Sequence, residues 1–200
     1  MKEDEIRSRF EAILPAVRQP ARLVGGEYGA GAGFPNAGDM LKVVLGFPDT
    51  YEIGISNQAL QILYHLASET AGVAVERTYL PWPDVSVKMR SEGVPLLTLE
   101  TWAPVCTADL VALTLQHEFN FTNVLELLDL ASVPINREER EEGCPLVIGG
   151  GPSTANFFPM LAFFDAFAVG DGELLLPEIL EVLVRGKREG VSRGELRQSL

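Results

Sequence analysis

The feature that most limits what this chain can fold into is a series of five short, nearly continuous apolar runs separated by stretches of helical period. The runs are Leu41 to Phe47 (LKVVLGF), Val73 to Tyr79, Leu110 to Leu115 (LVALTL), Pro145 to Gly149 (PLVIG) and Asp165 to Gly170 (DAFAVG). Between the first two, Asn57 to Thr70 places Leu60, Leu63, Tyr64 and Ala67 on one helical face, with Ser56 or Asn57 as the cap. A short helix is expected near Val85 to Ser91, and a longer one over Glu118 to Ala131. A closing helix opens at Gly172 and Glu173 and continues to Arg185, with Leu174, Leu175, Ile179, Leu180 and Leu183 in its inner stripe. Strands that lack polar alternation are buried on both faces. The pattern therefore predicts a doubly wound, Rossmann-like α/β fold with a five-stranded, mainly parallel sheet.

Outside this alternation the chain reads differently. Residues 3 to 14 carry Ile6, Phe10, Ile13 and Leu14 at helical spacing until Pro15 stops them, and Gln19 to Asp39 is too rich in glycine and proline, Pro20 and Pro35 included, for either regular period. The expected organisation is a helix and Gly/Pro-rich arm over 1–40, an α/β domain over 41–187, and a tail or linker over 188–200. Pro95 to Glu100 reads as a short edge segment, and the charge run Arg137 to Glu142 as a solvated loop. A net charge of -12 disfavours nucleic acid and anionic membrane as partners. Cys106 and Cys144 are far apart and form no metal-binding spacing, so two reduced thiols and a cytoplasmic location are expected. No apolar run reaches membrane-spanning length, and the acidic start is unlike a secretory signal.

Ligands of a doubly wound sheet bind outside the carboxyl ends of its strands. Three segments that follow strands stand out. After the first run, FPDTYEIG places Asp49, Tyr51 and Gly54 at the spacing D-x-Y-x-x-G; a capped turn with a packed tyrosine would read the same way. After the fourth, Gly149, Gly150, Gly151 and Pro152 offer bare backbone that could admit a flat or bulky group, or simply make a tight turn. They match neither the G-x-G-x-x-G fingerprint nor a Walker motif. After the fifth, Gly170, Gly172 and Glu173 lead into a helix whose exposed amides favour an acceptor. His117 follows the third strand, at the same edge of the sheet.

In order along the chain, LVGGEY (23–28), GFPDTYEIGIS (46–56), LQILYHL (60–66), PWPD (81–84), LQHEFNFTN (115–123), VIGGGP (147–152) and FDAFAVGDGE (164–173) resemble the amino-terminal domain of cobalamin-binding radical S-adenosylmethionine (SAM) proteins. Within that group the chain is similar to a family with a GGE arm and an FPD-x-YEIG turn. The resemblance covers about residues 20 to 185 and implies the strand order 2-1-3-4-5 and a cobalamin-type cofactor module with no catalytic residue of its own. It places Thr114 or Gln116 along the slot for the cofactor's nucleotide tail, with Gly149 to Gly151 giving that tail passage. Relatives that ligate cobalt do so with a histidine at the position of Tyr51. A neutral phenol is a poor cobalt ligand, so the resemblance implies cobalamin without a protein histidine and no metal ligand in this chain.

The same resemblance implies a radical SAM domain as partner, in cis or in trans, holding an iron-sulfur cluster and SAM on a CxxxCxxC motif. Residues 1–200 lack that motif, so the chain is expected to be either a fragment or a separate partner protein, and not catalytic alone. Two other readings stand beside this one. A cofactor-free interaction domain packed on a radical SAM barrel predicts a slot filled by Tyr51, Phe119 or Trp82. A flavin or nucleotide protein of similar topology would need a Ser/Thr/Gly-rich phosphate cradle after the first strand, and FPDTYEIG does not supply it.

Overall fold

The computed structural model describes residues 2–31, 33–34 and 38–200; Pro35, counted in the arm, lies outside them. Five parallel strands form one sheet in the order 2-1-3-4-5, which is the order the resemblance implies. They are β1 (Leu41–Phe47), β2 (Val73–Tyr79), β3 (Leu110–Thr114), β4 (Leu146–Gly150) and β5 (Ala166–Ala168). The helices are α1 (Glu3–Ile13), α2 (Tyr51–Ile55), α3 (Gln58–Glu69), α4 (Pro83–Glu92), α5 (Asn120–Leu130), α6 (Gly172–Glu189) and α7 (Arg193–Ser199). Local chemistry sets their ends. Asn57 caps α3 by accepting the Leu60 N–H at 2.9 Å, Pro83 begins α4, and Gly93 ends it in the left-handed region.

Strand side chains alternate between two cores. Leu41, Val43 and Leu45 of β1 pack with Leu110, Leu146 and Ile148 beneath α3 and α6. Val44, Val111 and Val147 face the opposite layer, which is built by α1, α4 and α5. Burial on both faces is why these strands read as unbroken apolar runs.

Strand β2 departs from that rule: it is an edge strand buried along its whole length, yet it carries Glu76 and Arg77. Its outer edge is covered by Leu97 to Glu100. The Leu99 N–H donates to the Arg77 carbonyl at 2.8 Å, and the Glu100 carboxylate accepts both the Arg77 backbone N–H and its Nε at 2.7 Å. The arm then wraps the same edge. Trp102 Nε1 donates to the Leu23 carbonyl at 2.7 Å, Gly31 N–H donates to the Tyr64 hydroxyl at 2.9 Å, and Phe34 N–H donates to Glu76. An exposed strand edge invites pairing with other chains, and this one is covered twice.

Two sequence expectations are corrected, the first being Leu174, which is exposed and not part of the buried stripe of α6. The charge run Arg137 to Glu142 is not wholly solvated, because Arg140 is fully buried. Its guanidinium donates to Asp165 at 3.0 Å and to the carbonyls of Pro134, Ile135 and Phe163 at 2.6–3.0 Å. Burial holds its pKa below the usual arginine value, and Asp165 opposes that shift. A second cation reaches the same carboxylate: Arg193, at the start of α7, lies 2.7 Å from Asp165. Residues 188–200 thus include a helix docked on the domain, with Leu196 against Gly186 of α6.

Removing one partner from a buried ion pair leaves an uncompensated charge and costs about 3–5 kcal/mol. Asp165→Asn should therefore lower the melting temperature by roughly 10 °C in a chain of this size, measured by circular dichroism. An unchanged melting temperature would show that Arg140 does not depend on this carboxylate.

Candidate functional site

The parallel register builds a recess at the carboxyl ends of β3, β4 and β5. Thr114 is paired with Gly150, and Gly150 with Ala168, so three small residues stand in one row on the face beneath α3 and α6. One step deeper, Ala112, Ile148 and Ala166 form the next row. Nothing in the upper row is large enough to fill the space between sheet and helices. The result is a cleft of about 210 Å³, roofed by Leu60 and Leu63 of α3 and by Leu176 and Ile179 of α6.

The polar groups of the cleft are few. Thr114 is more than nine-tenths buried, and among the described residues its hydroxyl has no hydrogen-bond partner. Gln116 joins it from the loop after β3, and Glu173 stands at the entrance in the first turn of α6. The entrance widens into a shallow vestibule bounded by Gly151, Pro152, Thr154, Gly170, Asp171 and Gly172. Apolar walls with a few convergent polar groups are the usual composition of a small-molecule site.

The three consecutive glycines do different work. Gly149 faces the other core, where a Cβ would lie 3.0 Å from the Phe167 ring. Gly150 borders the cleft, where a Cβ would meet only Ala168, at 4.0 Å. Gly151 has φ +103°, and a Cβ there would lie 2.9 Å from the Leu115 carbonyl oxygen. That close approach is fixed by the Leu115 N–H donating to the Gly150 carbonyl at 2.6 Å and the Ser153 N–H donating to the Leu115 carbonyl at 3.0 Å.

Eight residues singled out from sequence therefore border one space: Thr114, Gln116, Gly150, Gly151, Pro152, Gly170, Gly172 and Glu173. The D-x-Y-x-x-G turn is not part of it. Tyr51 turns toward the arm, donating its hydroxyl to Glu27 at 2.9 Å and meeting the Tyr79 ring edge-on at 5.6 Å. Burial, followed by the Glu27 contact, raises its pKa, so the phenol stays neutral. Asp49 accepts the Thr50 N–H at 2.7 Å, and Gly54 makes room for Tyr79. His117 is exposed, edge-on to Phe119 at 5.7 Å, and does not line the cleft. Among the described residues no three His, Cys, Asp or Glu side chains come together as a metal site.

Sequence reasoning missed the apolar walls and the small residues that open the space. The available signal was alanine at 112 and 168, where neighbouring strand positions facing the same helices carry leucine or isoleucine. It missed Glu27 as well, whose meaning depends on Tyr51 and on the buried Arg77 3.8 Å away.

Comparison with known proteins adds two findings. The Uncharacterized protein MJ0966 of Methanocaldococcus jannaschii is 28% identical over 137 residues, which are 67% of this chain and 25% of that protein, so the chain spans about a quarter of the length of this relative. Residues 59–200 match the model for radical SAM proteins, N-terminal. That stretch includes β2 to β5 and every residue of the cleft except Leu45, and on this basis the chain belongs to the radical SAM N-terminal family.

Proposed function

We propose that this chain is a cobalamin-type cofactor-binding module that serves a radical SAM domain. The observation that carries this reading is the cleft between the sheet and α3/α6, opened by Thr114, Gly150 and Ala168 at the strand ends. A flat heterocycle on a narrow chain is the kind of group such a space suits. The residues fit the nucleotide tail of cobalamin: the walls are apolar, the Thr114 hydroxyl and Gln116 amide are free to hydrogen-bond it, and Gly150, Gly151 and Gly170 leave its path unobstructed. Bound cobalamin would supply a cobalt centre able to carry a methyl group or an electron.

The chain's own part would be to orient that group without offering it a protein metal ligand. The Tyr51 phenol is occupied by Glu27, and His117 lies outside the cleft. The radical chemistry belongs in this reading to an iron-sulfur and SAM domain, in cis or in trans.

A second reading, a cofactor-free domain that packs on a radical SAM barrel, draws support from another observation. Each of the five connections at the carboxyl edge exposes a large apolar side chain: Ile53, Trp82, Phe119, Phe158 and Val169. Exposed apolar surface of this kind marks contact sites. Its own expectation of a filled slot is not met, since none of Tyr51, Trp82 or Phe119 lines the cleft. The two readings differ in whether a ligand enters before the partner covers the face.

Titrating the chain with hydroxocobalamin should give co-elution on gel filtration and a shifted visible spectrum. Ala168→Phe, which places a ring in open space, should abolish both while leaving the circular dichroism spectrum unchanged. No retention by the wild-type chain at high micromolar cobalamin would count against the proposal. Tyr51→Phe should leave cobalamin affinity unaltered and cost about 1 kcal/mol of stability through the lost hydrogen bond, read by urea denaturation. A large loss of binding in that variant would instead make Tyr51 a ligand contact.

A further inference from the structure

The cleft is polar only near its mouth. Thr114 ends β3, with Gln116 and Glu173 beyond it, whereas the rows below Thr114 present Ala112 and Leu110 of β3 beside Leu45 and Ile148. The helices above add hydrocarbon from Leu60 and Leu176. The backbone offers nothing more at that depth, because β3 and β4 each have a parallel neighbour on both sides and the ladder takes up their N–H and C=O groups. Among the described residues no lysine, arginine or histidine lines the space.

A ring that enters such a space can make a polar contact only at the level of Thr114. That hydroxyl is more than nine-tenths buried, and among the described residues it has no partner. An N-linked bicyclic base enters with its six-membered ring foremost, since the sugar is attached to the five-membered ring. The leading ring of a benzimidazole carries only C–H or methyl groups; that of adenine carries two ring nitrogens and an amino group. Beside alanine, leucine and isoleucine, each of those three groups would lose water without gaining a hydrogen bond. The five-membered ring of either base keeps one acceptor nitrogen, which a single hydroxyl can satisfy.

We infer that the cleft selects the tail base of its cofactor, accepting a benzimidazole-type base and disfavouring a purine. This rests on the cofactor reading proposed above and adds to it the class of cobamide that the chain takes. The Thr114 hydroxyl donates to the acceptor nitrogen of the base, and the lack of any partner deeper in the cleft discriminates against purine.

The test separates the base from the corrin. The full chain, isotopically labelled for NMR, is titrated with 1,5,6-trimethylbenzimidazole and with 9-methyladenine, in which a methyl group stands for the sugar, at a mildly alkaline pH where both are neutral. Trimethylbenzimidazole should bind at least about tenfold tighter and shift the backbone amides of Ala112, Thr114 and Ile148. Thr114→Val, which removes the hydroxyl and keeps the shape, should weaken that binding about fivefold. Equal affinities, no shift of the cleft amides by either base at millimolar concentration, or an unaltered affinity in Thr114→Val would overturn the selection. Retention of cobalamin on gel filtration alongside any of those results would leave the cofactor reading standing. Selective binding of trimethylbenzimidazole with no retention of cobalamin would overturn the cofactor reading and leave the preference of the cleft intact.

Discussion

The parallel ladder from β3 through β4 to β5 is the constraint on which the site depends. Because side chains alternate across a sheet, pairing Thr114 with Gly150 and Gly150 with Ala168 commits all three to the face beneath α3 and α6. A shift of one residue in either register would send Phe167 or Leu115 toward those helices and close the space. The depth of the cleft follows from the same ladder, since Ala112 and Ala166 flank Ile148 in the row below. Deeper still, Leu110 and Leu146 pack with Leu180 and Leu183 and seal the floor.

The edge at β2 solves a different problem. Arg77 has almost no exposed surface, so its charge must be met inside the protein. Glu100 meets it directly, the Tyr64 ring lies 4.4 Å beneath its guanidinium, and Glu27 approaches from the arm. The arm is therefore bound to the domain through the same cluster that neutralises the strand. The Tyr51 hydroxyl completes the attachment of Glu27, which gives the phenol of the D-x-Y-x-x-G turn a role without reference to any metal. Glu100 shows the cost of the arrangement, since burial raises its pKa although Arg77 pulls it down.

Together these two features make the carboxyl edge unlike the rest of the surface. It is apolar at five points, acidic between them, and free of lysine and arginine within its connections. An open cleft at the β3–β5 side and a latched arm at the β2 side divide it into a part that can receive a ligand and a part fixed by internal contacts.

The apolar runs were sufficient to read strand number and direction, because a strand buried on both faces leaves a continuous mark and helices between such strands oblige parallel pairing; the strand order came from the family resemblance. The glycines at 149 to 151 marked a turn that borders the cleft, Gly170, Gly172 and Glu173 were legible as residues that follow a strand, and Thr114 and Gln116 came from the family resemblance. The sequence could not separate residues that look alike locally. Gly149 and Gly150 are adjacent and identical, yet opposite faces of the sheet receive them; Asp49 and Glu173 both follow strands, yet only one borders the cleft. Arg140 sits in a run of charges that reads as solvated, and the return of Phe163 and Asp165 from more than twenty positions on supplies partners that let it leave water. Local patterning determines which elements form and which face each hides, because those choices depend on neighbours within a few residues. Which side chains meet across the sheet, and which charges are buried as partners, was decided by the tertiary structure, because those contacts join residues 24 to 75 positions apart.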